Sequence, residues 1–200
     1  MEKQFIEATE MAITKLVAEF QCKAGRYWNE RDLHWILYYN LRAVFPENDP
    51  LELLRAEFPT IKKYPARGHY DLTILDPISY YSEDVQRLTM DAGWDDYLPK
   101  LKVLIAIEMK LWQARLSWEI VDEQVNWDIQ KLTDVENKAE HPYFLNFIQL
   151  DFRKSIMKEY YIELRKRIMS LCSGRSNIRI LYVPNQIEIQ SDSDSWLSII

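Results

Sequence analysis

A carboxylate and an ammonium group stand two residues apart at the end of a strongly apolar run. In the segment 101–112 (LKVLIAIEMKLW), Glu108 and Lys110 follow Ile105-Ala106-Ile107. Side chains alternate along a strand, so Glu108 and Lys110 share one face. Charges at the end of a buried strand are costly unless they are paired or bound to an ion. A further acid, Asp71, lies near the start of another apolar stretch, Tyr70–Leu75. If the two strands pair, Asp71 and Glu108 converge. Two carboxylates so placed suit Mg²⁺ (or Mn²⁺), which takes one or two carboxylates plus waters and phosphate oxygens. Such a metal polarises a phosphodiester and lowers the pKa of its bound water. Lys110 would orient that water or offset charge developing on the phosphoryl oxygens. The competing reading is a plain ion pair, Glu108 with Lys110, at a sheet edge. The apolar run before them argues instead for a central strand.

The elements that must hold these groups are legible as patterns. Residues 3–22 have a 3.6-residue apolar period and predict a helix, broken by Gly25. Asn29 is a good N-cap for a second helix, which runs to about Phe45 and stops before Pro46. Residues 51–64 fit a short helix or a strand. Tyr70–Leu75 predicts a strand, and 76–99 a long loop carrying a helical piece. The strand 101–112 is followed by a helix from Ser117 to Lys138, a strand Tyr143–Phe152, a basic amphipathic helix Ile156–Leu171 and a strand Ile178–Val183. The Ser/Asp-rich stretch Ser191–Ser195 reads as loose. Strand–helix–strand–helix–strand implies parallel crossovers, and so an α/β fold with a mixed central sheet and helices on both faces.

The pair "HYDLTILD" and "VLIAIEMKLW" resembles the PD-(D/E)XK nuclease superfamily, the restriction-endonuclease-like fold. The resemblance covers roughly residues 29–152, and extends at most to Val183. It implies an α-β-β-β-α-β core with an Asp on the second strand and Glu-x-Lys on the third, matched by Asp71, Glu108 and Lys110. Tyr70 stands where the motif has proline. The resemblance implies catalysis by these three residues, with Asp71 and Glu108 as metal ligands. It also implies an accessory acid on the preceding helix, matched by Glu30; the alternative is a first-turn acid favoured by the helix dipole. Members often carry polar residues on the helix after Glu-x-Lys, and Gln124, Asp128 and Lys131 share a face there. That face is either solvated or, at Lys131, a contact to substrate phosphate. One domain spans 1–200, with 1–28 as an N-terminal helical appendage, 29–183 as the core and 184–200 as a C-terminal extension.

Composition narrows the alternatives. Apolar residues are 48% and charged residues 28% of the chain, the balance of a globular core. Four glycines, with no GxGxxG and no GxxxxGK[ST], exclude the phosphate-cradling loops. No HExxH or Cys/His set supports zinc, and the other histidines, His34 and His141, are remote in sequence from His69. The isolated Cys22 and Cys172 read as buried thiols of a reducing cytoplasm. Neither a secretory signal nor a membrane span is expected.

The net charge of −6 hides two opposed regions. The stretch 76–96 has six acids against one base, and 153–179 has eight bases against two acids. The acidic stretch is expected outside the sheet core, away from any nucleic acid. Lys158 and Lys166 on the basic helix are candidates for backbone contact, or simply its solvated face. Arg67 and His69, just before Asp71, would touch phosphate or cover the start of the strand. The sequence therefore points to a Mg²⁺-dependent endonuclease-like hydrolase acting on DNA, a homodimer being open. The alternative is an inactive module of the same fold serving protein–protein interaction or homodimerisation.

Overall fold

In the computed structural model, the run 103–112 is a ten-residue strand buried along most of its length, the third of six in one mixed sheet. The structure describes residues 2–45, 51–62, 68–88, 94–137, 139–173, 175, 177–185 and 198–199. Helices α1 (Glu2–Lys23) and α2 (Glu30–Val44) lead into β1 (Leu54–Pro59) and β2 (His69–Leu75). Three one-turn helices follow: α3 (Pro77–Tyr80), α4 (Glu83–Gln86) and α5 (Trp94–Tyr97). Then come β3 (Val103–Trp112), α6 (Trp118–Thr133), β4 (Ala139–Ile148), α7 (Ser155–Cys172), β5 (Arg179–Pro184) and β6 (Ser198–Ile199). The strands lie in sequence order. β1, β2 and β3 form an antiparallel meander, β4 and β5 add in parallel through the α6 and α7 crossovers, and β6 returns antiparallel to β5.

The sheet is covered on both faces. Register pairs Met109 with Leu145 and Lys110 with Asn146, so residues of like parity on β3 and β4 share a face. Phe147, on the Met109 side, meets Phe20 of α1 edge-on, with centroids 5.0 Å apart. Glu108 and Lys110, on the other side, meet Asp128 and Lys131 of α6. Burial on both faces explains why β3 is a continuous apolar run with no alternation.

Local chemistry sets the element ends. At the start of α2, Asn29 Oδ1 accepts from the Asp32 amide at 3.2 Å, and Asp32 Oδ2 accepts from the Asn29 amide at 3.2 Å. This reciprocal capping box satisfies donors that a bare helix end leaves open. Residues 51–62 resolve into a 3-10 turn and β1. Glu57, in β1, has φ 52°, a left-handed conformation rare for a residue with a Cβ, and it interrupts the β1–β2 ladder between Ala56 and Phe58.

Several expectations shift. β4 lies at 139–148, not 143–152. It contains Pro142, whose missing N–H is tolerated because pairing with β5 begins only at Tyr143. The helix α6 stops at Thr133, with a 3-10 turn after it. Helix α1 is no appendage, since Phe5, Ile13, Leu16, Val17 and Phe20 enter the same core as the sheet. β6 brings part of the expected extension back onto the sheet, while Ser191–Ser195 lies outside the described residues. Cys172 is buried as expected, but Cys22 is exposed. Among the described residues, no helix is long and apolar enough to cross a membrane.

Candidate active site

The site forms where β2 and β3 part. Their ladder runs from Leu75–Val103, across an irregularity between Ile74 and Leu75, to Leu72–Ile107, which is its last paired position at the Asp71 end. Beyond it, β3 continues beside β4 with an open edge toward β2. Two alternate amides on that edge are taken by carboxylates. The Met109 amide donates to Asp71 Oδ2 at 2.7 Å, and the Leu111 amide donates to Glu30 Oε2 at 3.3 Å. Acids from β2 and from α2 thus satisfy backbone donors that a paired strand would satisfy elsewhere.

The remaining charges interlock around these acids. Lys110 Nζ lies 2.9 Å from Asp128 Oδ2 and 3.5 Å from Glu30 Oε1. Lys131 Nζ lies 2.7 Å from Glu108 Oε2 and 3.0 Å from Asp128 Oδ1, and it donates to the His69 carbonyl at 3.1 Å. His34 Nε2 is 3.3 Å from Asp71 Oδ2. The cluster is largely shut off from solvent: the side chains of Glu108, Lys131 and Lys110 are 1%, 4% and 11% exposed.

The count of charges is unequal. Four carboxylates (Glu30, Asp71, Glu108, Asp128) face two ammonium groups and one imidazole. The titration of the groups reflects that deficit. Burial pushes the Glu108 carboxyl well above its ordinary range, and the charges of Asp71 and Asp128 push the same way against Lys131 and Lys110. Burial also raises Glu30. For His34, burial alone would lower the pKa, but the adjoining Asp71, with Glu30 and Glu57, raises it. Asp71 is lowered: burial opposes this, but His34, Lys110 and the Met109 amide outweigh it. Burial also works against the charge on Lys110 and Lys131, and the surrounding acids overcome it, holding both above the usual lysine value.

A divalent cation fits this arrangement. It would supply the missing positive charge, and Glu108 Oε1 is buried with no hydrogen-bond partner among the described residues. One donor atom each from Glu30, His34 and Asp71 lie within 4.8 Å of one another. Glu108 is not part of that mutual group, so the best-gathered donors differ from the expected pair Asp71 and Glu108.

The expected residues divide clearly. Asp71, Glu108, Lys110 and Glu30 come together, as does Lys131. Glu108 pairs with Lys131 and not with Lys110, which removes the simple i, i+2 ion-pair reading. Asp128 and Lys131 are buried, which corrects a solvated face there; Gln124 on the same helix is exposed. Lys131, with its ammonium group engaged by Glu108, Asp128 and a carbonyl, is placed to hold Glu108. His69 is exposed and reaches the cluster through its carbonyl. Lys158 and Lys166 are exposed on α7, and among the described residues neither bonds to the cluster. Arg67 lies outside the described residues.

His34 is the site residue that sequence reasoning missed. It follows Glu30 by four residues and so shares its helix face, and that spacing is the signal for it in the sequence. Asp128 was expected only as one of a polar trio, yet it bridges both lysines. A scan against protein-family models, a search of curated proteins and a search of solved structures each return no match.

Proposed function

We propose that this protein is a divalent-metal-dependent phosphodiester hydrolase acting on DNA, with a restriction-endonuclease-like core of the PD-(D/E)XK type. The observation that carries the reading is the convergence of Glu30, Asp71, Glu108 and Lys110 from three elements at the point where β2 and β3 part. The element order α2-β1-β2-β3-α6-β4, with an antiparallel meander and then a parallel strand, supports it.

Asp71 and Glu108, joined by Glu30 and His34, would hold the ion, Mg²⁺ or Mn²⁺. The three carboxylates suit Mg²⁺ and Mn²⁺ alike. When bound, the metal polarises the phosphoryl group and acidifies water. Lys110 keeps its proton in this surrounding, so it acts as a fixed cation and donor to the developing phosphoryl charge and not as a base. Lys131 fixes the orientation of Glu108. Glu30, whose carboxyl burial raises above its ordinary range, lies beside Lys110 and holds that ammonium group against the site.

The test is cleavage of plasmid and single-stranded DNA with Mg²⁺, Mn²⁺ or EDTA, alongside thermal melting with and without each metal. Cleavage in metal and a metal-dependent rise in Tm, both lost in Asp71→Asn, are expected. Lys110→Ala should lower turnover by about 10²–10³ while leaving DNA affinity nearly unchanged. Absence of any cleavage and of any metal-induced Tm rise would overturn the proposal. One observation favours a second reading, an inactive module of the same fold: Lys131 already occupies Glu108 Oε2, as in an interior ion network. Under that reading Lys110→Ala changes stability alone.

A further inference from the structure

The outer side of α2 carries an aromatic and cationic stripe that hydrolysis itself does not use. Arg31, Trp35, Tyr38 and Arg42 succeed one another at intervals of four, three and four residues, so they line one side of the helix. Tyr39 stands beside Trp35 one turn on. Trp35 is 53% and Tyr39 61% exposed. The half-buried Tyr38 meets Trp35 at 82° and Tyr39 at 80°, both edge-on, while Trp35 and Tyr39 lie tilted at 33° with centroids 6.3 Å apart, so the two exposed rings are not stacked flat on one another. Among the described residues, the exposed Arg31 and Arg42 make no ion pair. The acids of the helix are engaged, Glu30 with Lys110 and Asp32 in the capping box. Glu30 and His34, spaced by four residues, continue to Tyr38, so the row that carries the site meets the stripe there.

Exposed rings flanked on both sides by unpaired guanidinium groups are what unpaired nucleic acid recognises. Every base has a π-face, and every linkage has a negative charge. From Arg31 to Arg42 the helix rises about 16 Å at 1.5 Å per residue. That matches roughly five nucleotides at the ~3.4 Å spacing of a stacked strand. A duplex hides its base faces and leaves the rings without a partner.

We infer that this stripe binds single-stranded nucleic acid, with bases on Trp35 and Tyr39 and phosphates at Arg31 and Arg42, and leads the strand toward Glu30. The destination of the strand rests on the proposed hydrolysis; the binding does not. The experiment is fluorescence anisotropy in EDTA with labelled oligothymidylate, the matching oligouridylate and a duplex of equal length, over a series of salt concentrations. Either single strand should bind more tightly than the duplex and quench tryptophan emission. Trp35→Ala and Tyr39→Ala should each weaken single-strand binding by about fivefold or more, and Trp35→Phe should restore most of it. Arg31→Glu with Arg42→Glu should lower the salt slope by about 0.7 for each lost phosphate contact. These positions are exposed, and an unchanged circular dichroism spectrum in each variant confirms the fold.

Asp71→Asn separates the two proposals, because it removes cleavage and leaves this binding intact. Single-strand binding without any cleavage upholds the platform and rejects the hydrolase. Cleavage with single-strand affinity that is indifferent to Trp35 and Tyr39 rejects the platform alone. No single-strand binding even at low salt also rejects it, as does a wild-type dimer that dissociates on Trp35→Ala, which would make the stripe a protein interface.

Discussion

Lys131 and Glu108 show how strongly single residues are bound into this interior. With 4% and 1% exposure and 2.7 Å between them, Glu108 depends on Lys131, which Asp128 and the His69 carbonyl also hold. Removing one partner of a buried pair costs about 3–5 kcal/mol, whereas replacing both is often close to neutral. Lys131→Met should therefore destabilise by that amount in urea unfolding, and adding Glu108→Gln should recover part of it, the rest belonging to Asp128; additive losses would show that the two do not interact. The pair His34 and Asp71 gives a pH dependence. Asp71 is lowered from its ordinary 3.8, so its contribution is present above that pH and lost as pH falls through its folded value. His34 is raised from 6.5, so its contribution is present below 6.5 and lost as pH rises through its folded value. The stabilisation is thus full between about 3.8 and 6.5, and the stability difference between wild type and His34→Gln should show that plateau. A flat difference from acid to alkali would rule the pair out. Asp71, Glu108 and Lys110 were legible because polar groups closing an apolar strand violate the local pattern. His34 and Asp128 were not, since an amphipathic helix carries polar residues without any violation.

Helix α2 carries both halves of a division of labour: Glu30 and His34 on one row, the aromatic stripe on the next. Its first turn sets where Glu30 sits, and that turn is fixed by Asn29 and Asp32. Asn29→Ala should cost about 1 kcal/mol of stability in denaturant unfolding. It should lower the proposed hydrolysis by more than that stability loss explains, since Glu30 is the first residue of the loosened turn. Equal activity per folded molecule would show that the cap is structural only. The elements themselves were largely readable from period and breakers. The errors fell where tertiary pairing overrides local preference. Pro142 lies in β4 before pairing with β5 begins, and α6 ends in a short 3-10 turn whose Asn137 side chain accepts from the Lys62 amide.

At the scale of the whole molecule, the sheet separates its two acidic regions. The segment 76–102 joins the Leu75 end of β2 to the Val103 end of β3, whereas the site lies at the opposite end of both strands. The four residue steps from Asp71 to Leu75 span about 13 Å. That exceeds the Debye length of ~8 Å at physiological salt. Glu83→Gln with Asp84→Asn should therefore change DNA affinity by less than about twofold at that ionic strength, as read by anisotropy. A large gain would show that the segment reaches the nucleic acid. The α/β class and the flanking helices followed from the order of patterns. The antiparallel meander, the parting of β2 from β3 and the return of β6 depend on strand pairing, which no single segment encodes. The buried charge cluster also has a kinetic meaning. Its members arrive from α2, β2, β3 and α6, separated by up to about a hundred residues of chain, and an ion stripped of water before its partner docks costs several kcal/mol. Its contacts are consequently expected to close late in folding. Weakening the cluster, as in Lys131→Met, is therefore expected to speed unfolding and leave the refolding rate nearly unchanged, as read from the two limbs of a denaturant chevron; a slower refolding limb would show that the cluster forms early.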